Sequence, residues 1–147
     1  MIRRIGEPPY RGVKYQYRAG VYAILPRNGG LLVTHQSQPE PELQLPGGGI
    51  DPGESPLQAL HREVFEETGW SITAPLRLGV FRRFVFMPDY DIWAEKVCTI
   101  FVARPARQIA APTEPHHIAM TVDVGFAIEE LGNEGDRMFV SQWAGLT

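Results

Sequence analysis

The stretch "LPGGGIDPGESPLQALHREVFEETGW", from Leu45 to Trp70, places three consecutive glycines shortly before a segment rich in glutamate. Ser55 suits the N-cap of a helix, Pro56 suits its first position and Gly69 suits its end. Consecutive glycines allow a backbone to bend sharply and to approach a ligand or a metal closely. The stretch therefore predicts a glycine loop that leads directly into one helix, which begins after Ser55 and ends before Gly69.

Three carboxylates of this helix share one edge. On a helical wheel of about 100° per residue, one apolar stripe faces the core. The members of this stripe are Leu57, Leu60 and Val64. Glu63, Glu66 and Glu67 fall on the adjoining edge. The residues that point elsewhere are His61, Arg62 and Phe65. Negative charge is thus concentrated beside the core, where the dielectric constant is lower and repulsion is stronger.

Such an edge requires protonated carboxyl groups or a bound cation, because like charges in a low-dielectric environment raise each other's pKa. Oxygen ligands without a neighbouring cysteine or an inward-pointing histidine favour Mg²⁺, or Mn²⁺ as an alternative, over zinc. The glycine run lies next to a helix start, where free N–H groups gather and favour phosphate. A glycine loop beside an acidic helix is what a metal-bridged diphosphate would require. An ordinary charged helix face is the alternative for the glutamates taken alone.

The rest of the chain predicts a mixed α/β (α+β) fold. "YRAGVYAILPR", from Tyr17 to Arg27, and "LLVTHQS" read as a β-hairpin around the turn "NGG" at Asn28 to Gly30. "ELQLP" is a short strand, and two longer strands, 76–88 and 93–105, flank the turn "MPDYD". Residues 104–117 contain three prolines and read as a surface loop, and residues 121–146 predict two short helices broken near "GNEG".

Composition excludes several classes of protein. The chain has 147 residues, a length typical of a single domain over residues 1–147, and its 44% hydrophobic and 21% charged residues are typical of globular proteins. A net charge of −3 without lysine-rich tracts argues against a nucleic-acid polymer as partner. The sequence has no apolar run long enough to span a membrane and no secretory signal. We expect a soluble cytoplasmic protein whose single cysteine, Cys98, is buried and inert.

The glutamate-rich segment resembles the Nudix box: Gly, five residues, Glu, seven residues, Arg-Glu, an aliphatic residue, any residue, Glu-Glu, any residue, Gly and an aliphatic residue. The matching positions are Gly48, Glu54, Arg62, Glu63, Val64, Glu66, Glu67 and Gly69. Trp70 departs from the pattern, since an aliphatic residue is usual there. The resemblance implies an α/β/α sandwich with a mixed sheet. It also implies divalent-metal-dependent hydrolysis of the pyrophosphate linkage in a small-molecule nucleoside diphosphate derivative.

The resemblance also implies roles for individual residues. Glu63, Glu66 and Glu67 would hold the cations, with the carbonyl of Gly47 as a further ligand. The catalytic group would comprise Glu66, Arg62, Glu54 and Glu114. In that group, Arg62 orients Glu54 through a charge-assisted hydrogen bond. Glu66 is the first choice for activating water, and Glu114, in "APTEPHH", is the best candidate outside the box. Family members often dimerise, so a homodimer is expected as one possible state.

Other residues and functions remain open at this stage. Arg82 and Arg83 alternate across a strand, so only one of them faces a given side. His116 and His117 lie next to Glu114 and are candidates for contact with substrate, but loop histidines are more often solvated. The alternative functions are a non-catalytic module that binds a nucleotide or sugar-nucleotide, an isoprenoid diphosphate isomerase, and a scaffold with an acidic patch. The substrate itself is not marked by any further motif.

Overall fold

The computed structural model describes residues 1–145. The strands are β1 (Arg3–Arg4), β2 (Gln16–Ile24), β3 (Pro26–Arg27), β4 (Gly30–Gln36), β5 (Glu42–Gln44), β6 (Gly47–Gly49), β7 (Trp70–Met87), β8 (Ile92–Gln108) and β9 (His117–Val122). The helices are α1 (Pro56–Thr68), α2 (Val124–Glu130) and α3 (Glu134–Trp143). The two C-terminal helices and the turn between the two long strands lie where the sequence predicts them.

The strands form two sheets. The larger sheet has the order β1-β7-β8-β2-β6 and is mixed: β1 is parallel to β7 and β2 is parallel to β8, whereas the other neighbours are antiparallel. In the smaller sheet, β4 pairs with β3, β5 and β9, all antiparallel. The glycine strand β6 therefore lies at an edge of the larger sheet, next to β2.

Apolar side chains alternate between the two faces of the strands and form two separate clusters. Val21 and Ala23 of β2 pack in the same cluster as Leu60 and Val64 of α1. Ile24 packs in the other cluster, together with residues of α2 and α3. Helices therefore cover both faces of the strands, and the predicted α/β/α sandwich with a mixed sheet is confirmed.

The predicted strand from Tyr17 to Arg27 is divided at Leu25. Its first part is β2 in the larger sheet, and its last two residues are β3 in the smaller sheet. The predicted hairpin turn is confirmed, because Arg27 pairs with Gly30 across Asn28 and Gly29. Both turn residues have positive φ, 50° and 78°, as a two-residue hairpin turn requires. The chain therefore passes from the larger sheet to the smaller sheet at Leu25.

The glycine run forms a strand, and not the loop that the sequence predicts. Gly47 and Gly49 of β6 pair with Tyr22 and Gly20 of β2 in antiparallel register. A Cβ atom on Gly47 would collide with the carbonyl oxygen of Val21. Glycine is required here because the edge strand lies too close to its neighbour for a side chain.

Two further expectations are wrong. Leu57 is 45% exposed, so the buried stripe of α1 consists of Ala59, Leu60 and Val64 instead. A position in the first turn of a helix can extend beyond the sheet that the helix covers, and the wheel does not reveal this. The proline-rich loop is also shorter than predicted: β8 continues to Gln108 and β9 begins at His117, leaving residues 109–116 as the loop. Within the described residues, no helix is long and apolar enough to cross a membrane.

Candidate active site

The helix α1 is capped at both ends as the sequence predicts. The Oγ of Ser55 accepts a hydrogen bond from the N–H of Gln58 at 3.1 Å, and the N–H of Ser55 donates to the Gln58 side chain at 2.8 Å. Gly69 ends the helix with φ of 77°, and its N–H donates to the carbonyl of Phe65 at 2.8 Å. These caps fix the phase of the helix, and hence the edge on which its carboxylates lie.

Arg62 binds carboxylates from both the loop and the helix. Its Nε and Nη2 donate to the two oxygens of Glu54 at 2.7 and 2.9 Å, a bidentate arrangement. Its Nη1 donates to Glu63 at 2.8 Å and to Glu66 at 3.3 Å, and Nη2 donates to the carbonyl of Gly49 at 3.0 Å. These hydrogen bonds from Arg62 hold the pKa of Glu54 at about 2. The sequence-predicted contact between Arg62 and Glu54 is present.

Glu67 is the most deeply buried carboxylate of the edge, with 5% of the residue exposed. Its Oε1 accepts the N–H of Gly47 at 3.0 Å, which ties α1 to the glycine strand. Burial raises the pKa of Glu67 to about 8, against the effect of that hydrogen bond and with added repulsion from Glu63 and Glu114. Burial also raises the pKa of Glu63, although Arg62 opposes the shift. Desolvation therefore disfavours the charged form of both side chains.

The loop of residues 109–116 is attached to the end of α1 by main-chain hydrogen bonds. The N–H groups of Thr113 and Glu114 donate to the carbonyl of Glu66 at 2.8 and 3.0 Å. The N–H of Ile109 donates to the carbonyl of Gly69 at 2.8 Å. The structure thus brings Glu114 close enough to repel the charges on Glu63 and Glu67, as their raised pKa values reflect.

His117 is a residue of the site that the sequence did not identify. Its Nε2 lies 3.3 Å from Oε2 of Glu67, and only 11% of its side chain is exposed. The expectation that no histidine points into the acidic edge is therefore wrong. His117 begins strand β9, which pairs with β4 and carries the ring towards α1. No local pattern predicts this pairing, so the sequence offers no signal for it.

The donor set fits a hard divalent cation by its chemistry. The carboxylate of Glu67 is buried and that of Glu63 is partly buried, and this desolvation raises the pKa of both groups, so a cation would compensate their charge. Within residues 1–145, no three His, Cys, Asp or Glu side chains already converge on one point that a metal could occupy. Glu63 is bound by Arg62, and Glu67 is bound by Gly47 and His117. Cation binding at this edge would therefore exchange protein partners for the metal.

A cleft of about 560 Å³ opens between the ends of β7 and β8 and the segment 36–44 of the smaller sheet. Lys96 and Arg83 are paired across β7 and β8 and share one face of the sheet. Arg82 points to the other face, where it lies 3.5 Å from Glu95. Among the described residues, Lys96 and Arg83 form no ion pair, and burial lowers the pKa of Lys96.

The aromatic side chains near this cleft form a cluster with each other. Trp93 packs against Tyr10, Tyr15 and Phe86, with ring centroids 5.5, 6.0 and 5.2 Å away, respectively.

Cys98 lies elsewhere, in the core, where burial raises its pKa to about 11. The predicted burial of the thiol is confirmed, and its place in the core offers no support for the isomerase alternative.

Comparison with known proteins agrees with this geometry. A family model described as "NUDIX domain" matches residues 14–142. A putative 8-oxo-dGTP diphosphatase of Bacillus subtilis is 31% identical over 77 residues, which are 52% of each chain. An RNA pyrophosphohydrolase of Proteus mirabilis is 42% identical over 55 residues, which are 37% of this chain and 31% of that protein. The chain thus aligns with about half, or less, of the length of these relatives.

Solved structures share the fold at low sequence identity. A NUDIX hydrolase from Nitrosomonas europaea superimposes with a TM-score of 0.73 and 17% identity, over 88% of this chain and 90% of that one. The dihydroneopterin triphosphate pyrophosphohydrolase of E. coli gives a TM-score of 0.71 and 18% identity, over 91% and 100% of the two chains. At this level of identity, the similarity establishes the architecture.

Proposed function

Since the chain belongs to the Nudix family, we propose that it is a hydrolase that uses a divalent cation to cleave the pyrophosphate linkage of a nucleoside diphosphate derivative. The observation that carries the proposal is the acidic edge of α1, which comprises Glu63, Glu66 and Glu67. This edge faces the glycine strand and is attached to it by the bond from Gly47 to Glu67. Residues 1–147 would act as one domain of this kind.

In this proposal, the acidic edge holds Mg²⁺, or Mn²⁺ in its place, and the carbonyl of Gly47 completes the protein ligands. When bound, the cation would neutralise phosphate oxygens and lower the pKa of a water molecule. Burial of Glu67 and Glu63 supports this role, because desolvated carboxylates gain most from a compensating positive charge. At Gly49, where a Cβ atom would meet no atom closer than 4.0 Å, the glycine strand leaves its backbone open to a diphosphate.

The remaining residues of the box would orient the metal ligands and accept a proton from the attacking water. Arg62, fixed by Glu54, keeps Glu63 in place and lies 3.3 Å from Glu66. Glu66 is 33% exposed and would accept the proton of the attacking water. Glu114 is the second candidate for this base, because its loop is fixed to the carbonyl of Glu66.

The cleft beside β7 and β8 would bind the rest of the substrate. Its cationic side chains, Lys96 and Arg83, lie on the sheet that ends in the glycine strand, and they suit an anionic group. The relatives' names, an 8-oxo-dGTP diphosphatase and an RNA pyrophosphohydrolase, support a phosphate anhydride of a nucleotide as the substrate class. A single nucleotide is preferred over an RNA polymer, because the net charge of the chain is −3.

A non-catalytic module that binds a nucleotide or sugar-nucleotide is the second candidate. One observation favours it: the carboxylates are already engaged by Arg62, His117 and Gly47, and no metal cage is formed within the described residues. Such a module would bind its ligand tightly without releasing a product.

One experiment distinguishes the hydrolase from the binding module. The protein is incubated with Mg²⁺ or Mn²⁺ and a panel of nucleoside triphosphates, nucleotide sugars, ADP-ribose and a short 5′-triphosphate RNA, and the products are resolved by chromatography. We expect cleavage of at least one compound, with a loss of orders of magnitude in Glu66→Gln and Glu67→Gln. Binding of a compound without cleavage would support the binding module, and full activity in both variants would contradict the hydrolase mechanism.

A further inference from the structure

We infer that His117 supplies a nitrogen ligand to the cation held by Glu67, an inference that rests on the proposed metal-dependent function. The resulting centre would combine carboxylate oxygens with one imidazole. Imidazole is a better ligand for transition metals than for Mg²⁺, whereas carboxylates suit Mg²⁺ and Mn²⁺ equally. The chain would therefore bind Mn²⁺ and Co²⁺ more tightly than an all-oxygen edge does.

The hydrogen bond of His117 through Nδ1 leaves Nε2 available for a metal. Its Nδ1 lies 3.2 Å from the carbonyl oxygen of Pro115. A carbonyl oxygen can only accept a hydrogen bond, so Nδ1 donates its proton, and in the neutral ring Nε2 then carries the lone pair that a metal requires. Metal-binding histidines commonly use this arrangement, in which one ring nitrogen donates to a carbonyl and the other binds the metal. Nε2 is the ring nitrogen that lies next to the carboxylate of Glu67.

The distance between the two side chains also fits a shared cation. Nε2 of His117 and Oε2 of Glu67 are 3.3 Å apart. Charge-assisted hydrogen bonds of this type are shorter, at about 2.7–2.9 Å. Two ligand atoms that are each about 2.1–2.2 Å from one metal lie this far apart when the angle at the metal is about 100°. The pair is thus spaced as neighbouring ligands and needs little movement to accept a cation.

The backbone around His117 holds the ring in this position. His116 adopts φ of 66°, in the left-handed region, and its carbonyl accepts the N–H of Ser37 at 2.8 Å. His117 then enters β9, opposite Gln36 of β4. On the other side, the preceding loop is fixed to the carbonyl of Glu66. The side chain is therefore positioned from both directions, as a ligand requires.

Pulsed electron paramagnetic resonance of the Mn²⁺-loaded full-length protein tests this inference. We expect nitrogen modulation from a directly bound imidazole in the wild-type protein. The signal should change in protein labelled with ¹⁵N-histidine, which needs no substitution and so avoids any question of folding. It should be lost in His117→Gln and retained in the matched control His116→Gln, whose exposed ring lies one residue away.

Calorimetry gives a second readout. Replacement of His117 by Gln should lower Co²⁺ affinity by about 10–100-fold, with a smaller loss of Mg²⁺ affinity. Mn²⁺ binding without histidine modulation would overturn the inference and leave the proposed hydrolase intact. Absence of Mn²⁺ binding altogether would overturn both. Equal losses of Co²⁺ affinity in the two histidine variants would also contradict a specific role of His117.

Discussion

Arg62 connects the acidic edge of α1 to the loop that precedes the helix. Its guanidinium group binds Glu54 in a bidentate manner and also reaches Glu63 and the carbonyl of Gly49. One planar group with several fixed donors satisfies acceptors in three directions, which an ammonium group cannot reproduce. The positions of two glutamates therefore depend on the shape of one side chain and not on its charge alone.

Replacement of Arg62 by Lys tests this dependence. The variant keeps the charge but loses the bidentate bond to Glu54, so we expect the free energy of unfolding to fall. Hydrolysis should fall at least about tenfold, because Glu63 loses its partner. Urea denaturation and steady-state kinetics measure the two effects. A Lys variant with wild-type stability and turnover would show that only the charge matters.

Asp136, in the first turn of α3, is a buried acid outside the site, with 4% of the residue exposed. Burial raises its pKa from 3.8 to about 6, although Arg83 and Lys96 oppose the shift. Between these two pH values, the folded protein holds a proton that the unfolded chain has released. Raising the pH through this interval therefore favours the unfolded chain, and the free energy of unfolding falls.

Asp136→Asn should remove this pH dependence. Relative to the wild-type protein, the variant should gain about 2–3 kcal/mol between pH 4 and pH 7, because a neutral amide avoids the cost of a buried charge. Urea denaturation at both pH values provides the measurement. A stability difference between the two proteins that does not vary with pH would mean that Asp136 is ionised throughout.

Among individual residues, contacts between positions close in the sequence were predicted better than contacts between distant positions. The contact between Arg62 and Glu54 spans eight positions, and the resemblance to the Nudix box implied it. The contact between His117 and Glu67 spans fifty positions and depends on the pairing of β9 with β4. Strand pairing over such separations is set by tertiary packing, which no local pattern records.

Among the secondary-structure elements, the glycine strand β6 places backbone directly against the carboxylates of α1. A Cβ atom on Gly48 would lie 2.6 Å from the carboxyl carbon of Glu63. Side chains cannot approach this closely, so a substitution must displace the carboxylate. The glycine run is thus required by two neighbours at once: strand β2 on one side and helix α1 on the other.

Gly48→Ala should therefore weaken cation binding more than it weakens the fold. We expect a loss of Mn²⁺ affinity of about tenfold or more, since the ligand Glu63 is moved away from its position. Gly125→Ala is the matched control, because a Cβ atom there meets no atom within 4 Å and the residue lies in helix α2. Calorimetric titration compares the two variants. Equal Mn²⁺ affinities would show that Glu63 does not hold the cation.

The existence and bounds of the elements were also predicted better from the sequence than the neighbours that each element contacts. The helix α1 and the hairpin at Asn28 begin and end where caps and turn residues place them. The glycine run was expected to bend, because glycine permits many conformations and sequence cannot show which neighbour excludes a side chain. The exposed position of Leu57 was missed for a related reason: the wheel gives direction but not the extent of the covering sheet.

For the whole molecule, the acidic edge couples cation binding to stability. Glu67 is contacted by the glycine strand and by His117 of the smaller sheet, so a cation there joins elements that are distant along the chain. A ligand that binds only the folded state raises the free energy of unfolding by mass action. The proposed metal site therefore predicts a global effect as well as a catalytic one.

Thermal unfolding in the presence of a cation tests this coupling. At a Mn²⁺ concentration of about 100 times the dissociation constant, the free energy of unfolding should rise by about 2.7 kcal/mol. For a chain of this size, the midpoint temperature should rise by about 5–10 °C. Glu67→Gln should unfold at the same temperature with and without Mn²⁺. A wild-type midpoint that does not respond to the cation would contradict binding at this edge.

The attachment of the loop 109–116 has a consequence for how the protein could change over evolutionary time. The hydrogen bonds that fix this loop to Glu66 and Gly69 run between main-chain groups, so they do not depend on which side chains the loop carries. Substitutions along it at positions other than Glu114 could alter what the protein accepts from solution while the carboxylates and the imidazole keep their spacing. New preferences could thus arise from single exchanges in one exposed segment, without rebuilding the chemistry beneath it.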